Sequence, residues 1–458
     1  MATTSTQHPS RDYCLAPSRA ADQAAGGRYQ KLFPELEPLR TNETLLHALG
    51  VMGGACDGSQ LAAQGGDDGD TAAGWPFFGQ FVAHDLTADR SPPAHTEMAD
   101  KLRNARAIQL DLESIYGQGP AGEPFLYDRN DSATLLLGRN DAGREDDLAR
   151  NQQGIAIIAD PRNDSHTVVS QMHVAFARAH NGLVDRMRTD GVTASELFDA
   201  ARRSMLRHYH WVVVEDFLPT LIGRELTEEI RRDGCRYYHP RSDAPFIPLE
   251  FADAAYRYGH GQIRHTYQLN QHAAPVSMFP DLLGFRPVPS QRCIEWSLFF
   301  DADGARTAQR AKRLDGRLPA ALLRLPEALT GDVDDDAYHS LAARDLQRGH
   351  ALSLPSGEAV ARHMGVDPLT PDEVGLAASG WPDETPLWYY VLKEGEHRGE
   401  GNRLGPVGGR IVGEVVLGLL MRDPEFYATV DPAWRPSLPA RMPGRFTLAD
   451  FLAFGASP

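Results

Sequence analysis

Cysteine is scarce in this chain and scattered. Only Cys14, Cys56, Cys235 and Cys293 occur, with no pair at the short spacing that zinc and redox motifs require. A disulfide framework and a cysteine-based metal centre are excluded, and free thiols are expected. Long apolar runs are missing too. The longest aliphatic stretch, Ile411 to Met421, carries Glu414 and falls well short of the ~20 residues that cross a bilayer. No membrane span is expected. The opening segment has no basic region followed by an apolar one, so it does not read as a secretory signal. Residues 1–27 read as a disordered leader, and the location as cytoplasmic, or exported without a classical signal peptide. Positive charge is in deficit: 46 Lys and Arg face 62 Asp and Glu, for a net charge of −16. Nucleic acid and anionic membrane surfaces would be repelled on balance, so neither is an expected partner. Lysine stands only at Lys31, Lys101, Lys312 and Lys393. Coding bias explains that, and no function is attached to it.

What is present is the composition of a globular protein, with 42% hydrophobic and 24% charged residues over 458 positions. Helical periodicity dominates. From His166 onward Val168, Val169, Met172, Phe176, Ala179, Leu183, Val184 and Met187 form one apolar stripe of a long helix, with Ser165 as the expected N-cap. Thr193 and Glu196 are spaced as a capping box opening a second helix that runs to Pro219 and Gly223. Further helical patterns cover about 74–88, 249–268, 356–364 and 405–422. Strand patterns are short and few, and no repeat or long linker divides the chain. One mainly α-helical unit over 28–458 is predicted.

Several familiar motifs drop out. Gly117-Gln-Gly119-Pro-Ala-Gly122 fits a dinucleotide pattern, but Pro120 and the following EPFLYD do not open the helix such a site needs. No Walker A sequence and no H-E-x-x-H occurs. Three other stretches carry polar groups in suggestive places. In WPFFGQFVAHDLTADRS (75–91), Gln80 and His84 are four apart and share a helix face, while Asp85 is turned about 100° away. In DPRNDSHTVVSQMHVAFARAHN (160–181), Arg162 stands just before the long helix, where pairing with Asp160 or Asp164 is the simplest reading. In YRYGHGQIRHTYQLN (256–270), His260 lies between two glycines, which permit close approach of something bulky and flat.

In order, these stretches resemble the animal haem peroxidase superfamily, as a bacterial-type member. GQFVAHD resembles the distal histidine motif, DPRND the distal arginine motif and RYGH the proximal histidine motif. LDLESIYG at 110–117, LAARDLQRG at 341–349, TPLWYY and GPVGGRIVGEVVLGLL extend the likeness from about residue 30 to the end. The resemblance implies a mainly α-helical fold with haem in a helical core. It also implies a peroxidase that reduces hydrogen peroxide while oxidising small organic or inorganic donors. His260 would be the proximal iron ligand, His84 the distal acid and base, Arg162 the fixed positive charge, and Gln80 a group that orders water or peroxide. Asp85 resembles the family's calcium ligand, with Asp111, Glu113 and the carbonyls of Ala107 and Gln109 completing an oxygen shell. The family usually has a hydroxyl side chain where Ala107 stands.

Departures matter as much. Ala83 and Ser165 occupy the positions whose carboxylates esterify haem in mammalian members, and His166 replaces the methionine that makes a sulfonium link. Noncovalent haem b is therefore expected. Arg257 stands where the dioxygenase branch has its radical-forming tyrosine, and is read as a partner for a haem propionate. Asp345 stands where the family has an asparagine beside the proximal imidazole, the alternative being pairing with Arg344 or Arg348. A fatty-acid dioxygenase of the same fold, or a haem-binding protein without turnover, remain the other readings.

Overall fold

The computed structural model describes residues 28–62, 67–88, 102, 104–241, 245–302, 306–331 and 335–456. The expected leader and Cys14 lie outside them. Helices dominate, as the periodicity predicts. Those of seven residues or more among the described residues are α1 (Glu43–Gly50), α2 (Trp75–Leu86), α3 (Thr167–Thr189), α4 (Leu197–Val212), α5 (Arg224–Asp233), α6 (Leu341–Ala351), α7 (Gly357–His363), α8 (Leu387–Arg398), α9 (Pro406–Leu420) and α10 (Leu448–Ala456). Among the described residues strands are confined to four two-stranded pairs, such as the parallel pair Arg28–Gln30 with Phe246–Pro248.

Helix α2 is apolar on nearly every side, which is the pattern of a helix buried in a core. Phe77, Phe78, Phe81 and Val82 are buried, and only Trp75, Gln80 and Ala83 keep partial exposure. Its start is fixed by Gly74, where a Cβ would fall 2.3 Å from the Phe300 ring. Phe81 packs on Phe176 of α3 with ring centroids 4.5 Å apart, and Phe176 packs on Phe451 of α10 at 4.6 Å. Burying one such ring stabilises the fold by roughly 1.5–3 kcal/mol. Helix α2 is thereby clamped between α3 on one side and the segment Ala255–Gln262 on the other. Helices α8 and α9 back that segment in turn.

Three sequence expectations are corrected. The N-cap of α3 is His166, not Ser165: His166 is extended at φ −157° and its ring accepts from the Val169 amide, while Ser165 closes the preceding 3₁₀ turn, Pro161–Asp164. Thr193 does bond Glu196, at 2.6 Å, but side chain to side chain, and α4 starts only at Leu197. The expected helix over 249–268 is instead a single turn, Leu249–Ala252, followed by a 3₁₀ segment, Ala255–Gln262. Glycines at 259 and 261 weaken the helical preference there, and packing decides the backbone. No helix among the described residues is long and apolar enough to cross a membrane. Cys56, Cys235 and Cys293 are free.

Candidate active site

The distal wall begins with His84 in the last turn of α2. Its Nδ1–H donates to Asn163 Oδ1 at 2.8 Å, and the Asn163 amide donates to His173 Nδ1 at 3.1 Å. The second bond orients Asn163, so the first fixes the His84 tautomer and leaves the lone pair on Nε2. Burial first, and the Arg162 charge second, push the His84 pKa down to about 3, so the ring is neutral and ready to take a proton. Gln80, one turn earlier, accepts from His166 Nε2 at 2.8 Å, while His166 Nδ1 accepts from the Val169 amide at 3.3 Å. The Gln80 amide nitrogen is left without a partner among the described residues, and Gln80 lines the cavity.

Arg162 is held on three sides. Its Nε and Nη2 donate to Asp160 at 3.0 and 2.7 Å, and Nη2 also donates to the carbonyls of His84 at 3.1 Å and Thr87 at 2.6 Å. Nη1 has no partner among the described residues, and the residue lines the cavity. Burial opposes the charge of Asp160, but its bonds with Arg162 outweigh burial and hold its carboxyl below the usual range. Asp164 does not pair with Arg162. Arg150 holds it with two bonds of 2.7 Å.

The proximal wall comes from Ala255–Gln262 and α6. His260 Nδ1–H donates to Asp345 Oδ2 at 2.5 Å, leaving Nε2 free among the described residues. Asp345 is fully buried, and its other oxygen takes Arg257 Nη1 at 3.0 Å. Arg257 also donates to Asp253 and to the Ala252 carbonyl, at 3.1 and 3.0 Å. These bonds use three of the five guanidinium N–H donors, and Arg257 keeps one N–H on each terminal nitrogen while lining the cavity. Asp345 pairs with neither Arg344 nor Arg348; the latter bonds Asp253.

Gln80, His84, Arg162, Arg257 and His260 all line one cavity of about 520 Å³. Leu322, Leu325, Leu329, Leu341, Met278 and Phe279 supply much of its apolar lining. Haem fits this site. His260, on the lining, has its Nε2 unpartnered among the described residues, much of the lining is apolar, and a Cβ at Gly259 would meet nothing nearer than Pro76 at 3.7 Å. Arg344, also on the lining, has no ion-pair partner among the described residues and stands available to a propionate. A larger surface cleft of about 880 Å³, lined by Arg144, His272 and Trp296, holds none of these groups.

The animal haem peroxidase family model matches residues 94–370, more than half of the chain. The chain belongs to that family. Arg162, His260 and Asp345 lie inside the matched stretch, whereas His84 precedes it and is placed by geometry. Over 332 residues the chain is 25% identical to the chorion peroxidase of Drosophila melanogaster, covering 68% of this chain and 38% of that protein. The chain thus spans well under half the length of that curated relative. Among solved structures it is similar to peroxidase A from Dictyostelium discoideum, with a TM-score of 0.60 and 14% identity over 88% of this chain and 87% of the other. The fatty acid alpha-dioxygenase of Oryza sativa matches with a TM-score of 0.57 and 16% identity over 78% and 70%. These likenesses establish the mainly helical haem peroxidase fold, which serves more than one chemistry.

Within this family member the expected calcium residues do come together, at the far end of α2. Their oxygens, however, are already engaged. Asp85 accepts from the Leu112 amide at 3.0 Å, Asp111 from the Glu113 amide at 3.0 Å, and Glu113 from the Ala107 amide at 3.0 Å. Burial first, then the neighbouring Asp111, raises the pKa of both Asp85 and Glu113. No group of three His, Cys, Asp or Glu among the described residues is arranged to hold a metal. The Arg106 guanidinium stands at the edge of this group and pairs with Glu113 at 3.4 Å, and the residues present do not fit a calcium shell. Asn163, His173 and Arg106 were not singled out as site residues from the sequence, and His166 was read only as the position of a lost haem link. Asn163 stood in view inside the DPRND motif.

Proposed function

We propose that the protein is a haem peroxidase that reduces hydrogen peroxide while oxidising small organic or inorganic donors. One observation carries this reading: two histidines line a single cavity, each held through Nδ1 by a side-chain acceptor, so that each has Nε2 left over. Haem, when bound through His260, supplies the redox equivalents and the open coordination position for peroxide. With haem bound to supply the electrons, His84 Nε2 would take a proton from one peroxide oxygen and return it to the other. Arg162 Nη1 stabilises the charge that develops on the departing oxygen. The Gln80 amide orders peroxide or water along the same path. Asp345 holds the proximal imidazole from behind and gives it anionic character.

The haem in this reading is b-type and noncovalent. Ala83 and Ser165 offer no carboxylate for an ester, and the nearest substitute, Asp164, is pinned by Arg150. One observation favours the dioxygenase alternative: Tyr256 and Tyr258 both line the cavity, and the Tyr256 hydroxyl is buried without a partner. Haem-loaded protein given peroxide and a phenol, and separately linoleate and oxygen, separates the two. His84→Ala is expected to keep haem and lose about 10²–10⁴-fold in peroxide reduction, while His260→Ala loses haem itself. Parent-like peroxide reduction in His84→Ala would remove the distal role.

A further inference from the structure

We propose that the buried guanidinium of Arg106 is the resident cation that fixes the far end of α2, beside the carboxylates that would otherwise call for a divalent metal. The helix ends at Leu86, so its last carbonyls have no partner within the helix, and the dipole there is negative. Arg106 answers both needs. Its Nε donates to the His84 carbonyl at 3.2 Å, Nη1 pairs with Glu113 at 3.4 Å, and Nη2 bonds Asp160. The side chain is only 4% exposed, against 2% for Asp160 and 8% for Glu113.

The cluster is nearly neutral without a metal. Asp85, Asp111, Glu113 and Asp160 face Arg106, Arg162 and Arg202, four carboxylates against three guanidiniums. Two features of the loop agree with a cation supplied by the protein. Ala107 offers no hydroxyl ligand, and its amide occupies Glu113 Oε2 instead. Asn104 fastens the same loop to the helix end, accepting from the Ala88 amide at 2.7 Å and donating to the Leu86 carbonyl at 2.8 Å.

Arg106 is a positioning residue. Through Asp160, which bonds both arginines, it holds Arg162, and through the His84 carbonyl it holds the backbone of the distal histidine. This consequence for turnover rests on the peroxidase reading, whereas metal content and thermal stability test the cation by itself, so failure of one is distinguishable from failure of the other.

The test uses the purified full chain, the haem-loaded protein, and Arg106→Ser and Arg106→Lys. The parent is expected to hold calcium well below one ion per chain by metal analysis, and to keep its Tm in excess chelator and in millimolar calcium. Arg106→Ser should lower Tm by several degrees and lose hydrogen-exchange protection at the Thr87 and Ala88 amides. Millimolar calcium should restore part of both. Arg106→Lys, which keeps the charge, should retain most of the protection and of the rate of peroxide reduction. Stoichiometric calcium in the parent, or a Tm that falls on chelation, overturns the proposal even where Arg106→Ser does not fold. So does an Arg106→Ser variant that matches the parent in Tm and protection.

Discussion

His84 and His260 are both imidazoles on one cavity, yet their partners give them opposite tasks. Asn163 is a neutral acceptor, so His84 keeps an ordinary lone pair on Nε2, and burial beside Arg162 holds its pKa down to about 3. The rate of peroxide reduction is therefore expected to stay level from neutral pH to below pH 5, where an unperturbed histidine, with a pKa of about 6.5, would already be protonated. Because Arg162 is a cause of the depression, Arg162→Met should move the acid limb to higher pH as well as slow the reaction. A limb that stays in place in stopped-flow measurements would show that Arg162 does not act on His84. Asp345, by contrast, is an anion and is shared with Arg257. In haem-loaded protein Asp345→Asn should raise the iron reduction potential, read by spectroelectrochemistry, because the imidazole loses its charged partner. Asp345→Ala also deprives Arg257 of one of its two carboxylates, and should cost about 3 kcal/mol in denaturant unfolding.

Asp345 can reach His260 only if α6 stays where it is. Two contacts with α1 place it: the Ser340 hydroxyl caps α6 and donates to the Gly50 carbonyl at 2.6 Å, and Gly50 lies so close that a Cβ would fall 2.5 Å from the Ala343 backbone. Gly50→Ala must push α1 and α6 apart. A loss of about 1–3 kcal/mol is expected from such overpacking, together with weaker haem retention. Unchanged haem affinity would mean that α6 does not depend on α1. Elements of this kind differ in how far the sequence announces them. The apolar stripe of α3 is legible because one face is buried along its whole length, and α2 and α9 read equally well. The proximal segment misleads because YRYGHGQ carries helical spacing, while the backbone is set by what packs around it. The residues that share the cavity were legible because they travel in short motifs. Their supports were not: Asn163 lies 79 residues from His84, and Arg106 lies 22 residues from it, so no local pattern joins them. Arg257 sat in the motif, yet its partner lay 88 residues away at Asp345.

Across the whole molecule the same device recurs: histidines kept neutral by burial. His84 and His166 are pushed down to about 3, and His173, His180, His208 and His210 to about 4, with burial the largest cause in each. Hydrogen bonds reinforce that neutrality, because several of these rings must accept. His208 Nε2 accepts from the Ser437 and Leu438 amides at 3.0 and 3.2 Å, and His180 Nδ1 accepts from the Tyr116 hydroxyl at 3.0 Å while its Nε2–H donates to the Ala133 carbonyl. A protonated ring has no lone pair for such bonds. In the unfolded chain each histidine takes up its proton near pH 6.5, well before the folded chain does. The unfolded state therefore binds more protons in this window, and stability must fall as pH falls from about 6.5 toward 4. Between pH 6 and pH 5 each such histidine removes about 1 kcal/mol, and the losses accumulate across three elements at once, α2, α3 and α4, together with the N-cap of α3. Acid unfolding is thus expected to set in above pH 4.5, at a pH where exposed carboxylates are still ionised. Calorimetry at half-unit steps from pH 7 to pH 4 reads this directly. His208→Gln, placed away from the cavity and still able to accept from both amides, should flatten the fall by one histidine's share. A Tm that holds level down to pH 4.5 would show that these rings find protons or water in the folded state, and that burial is not what keeps them neutral.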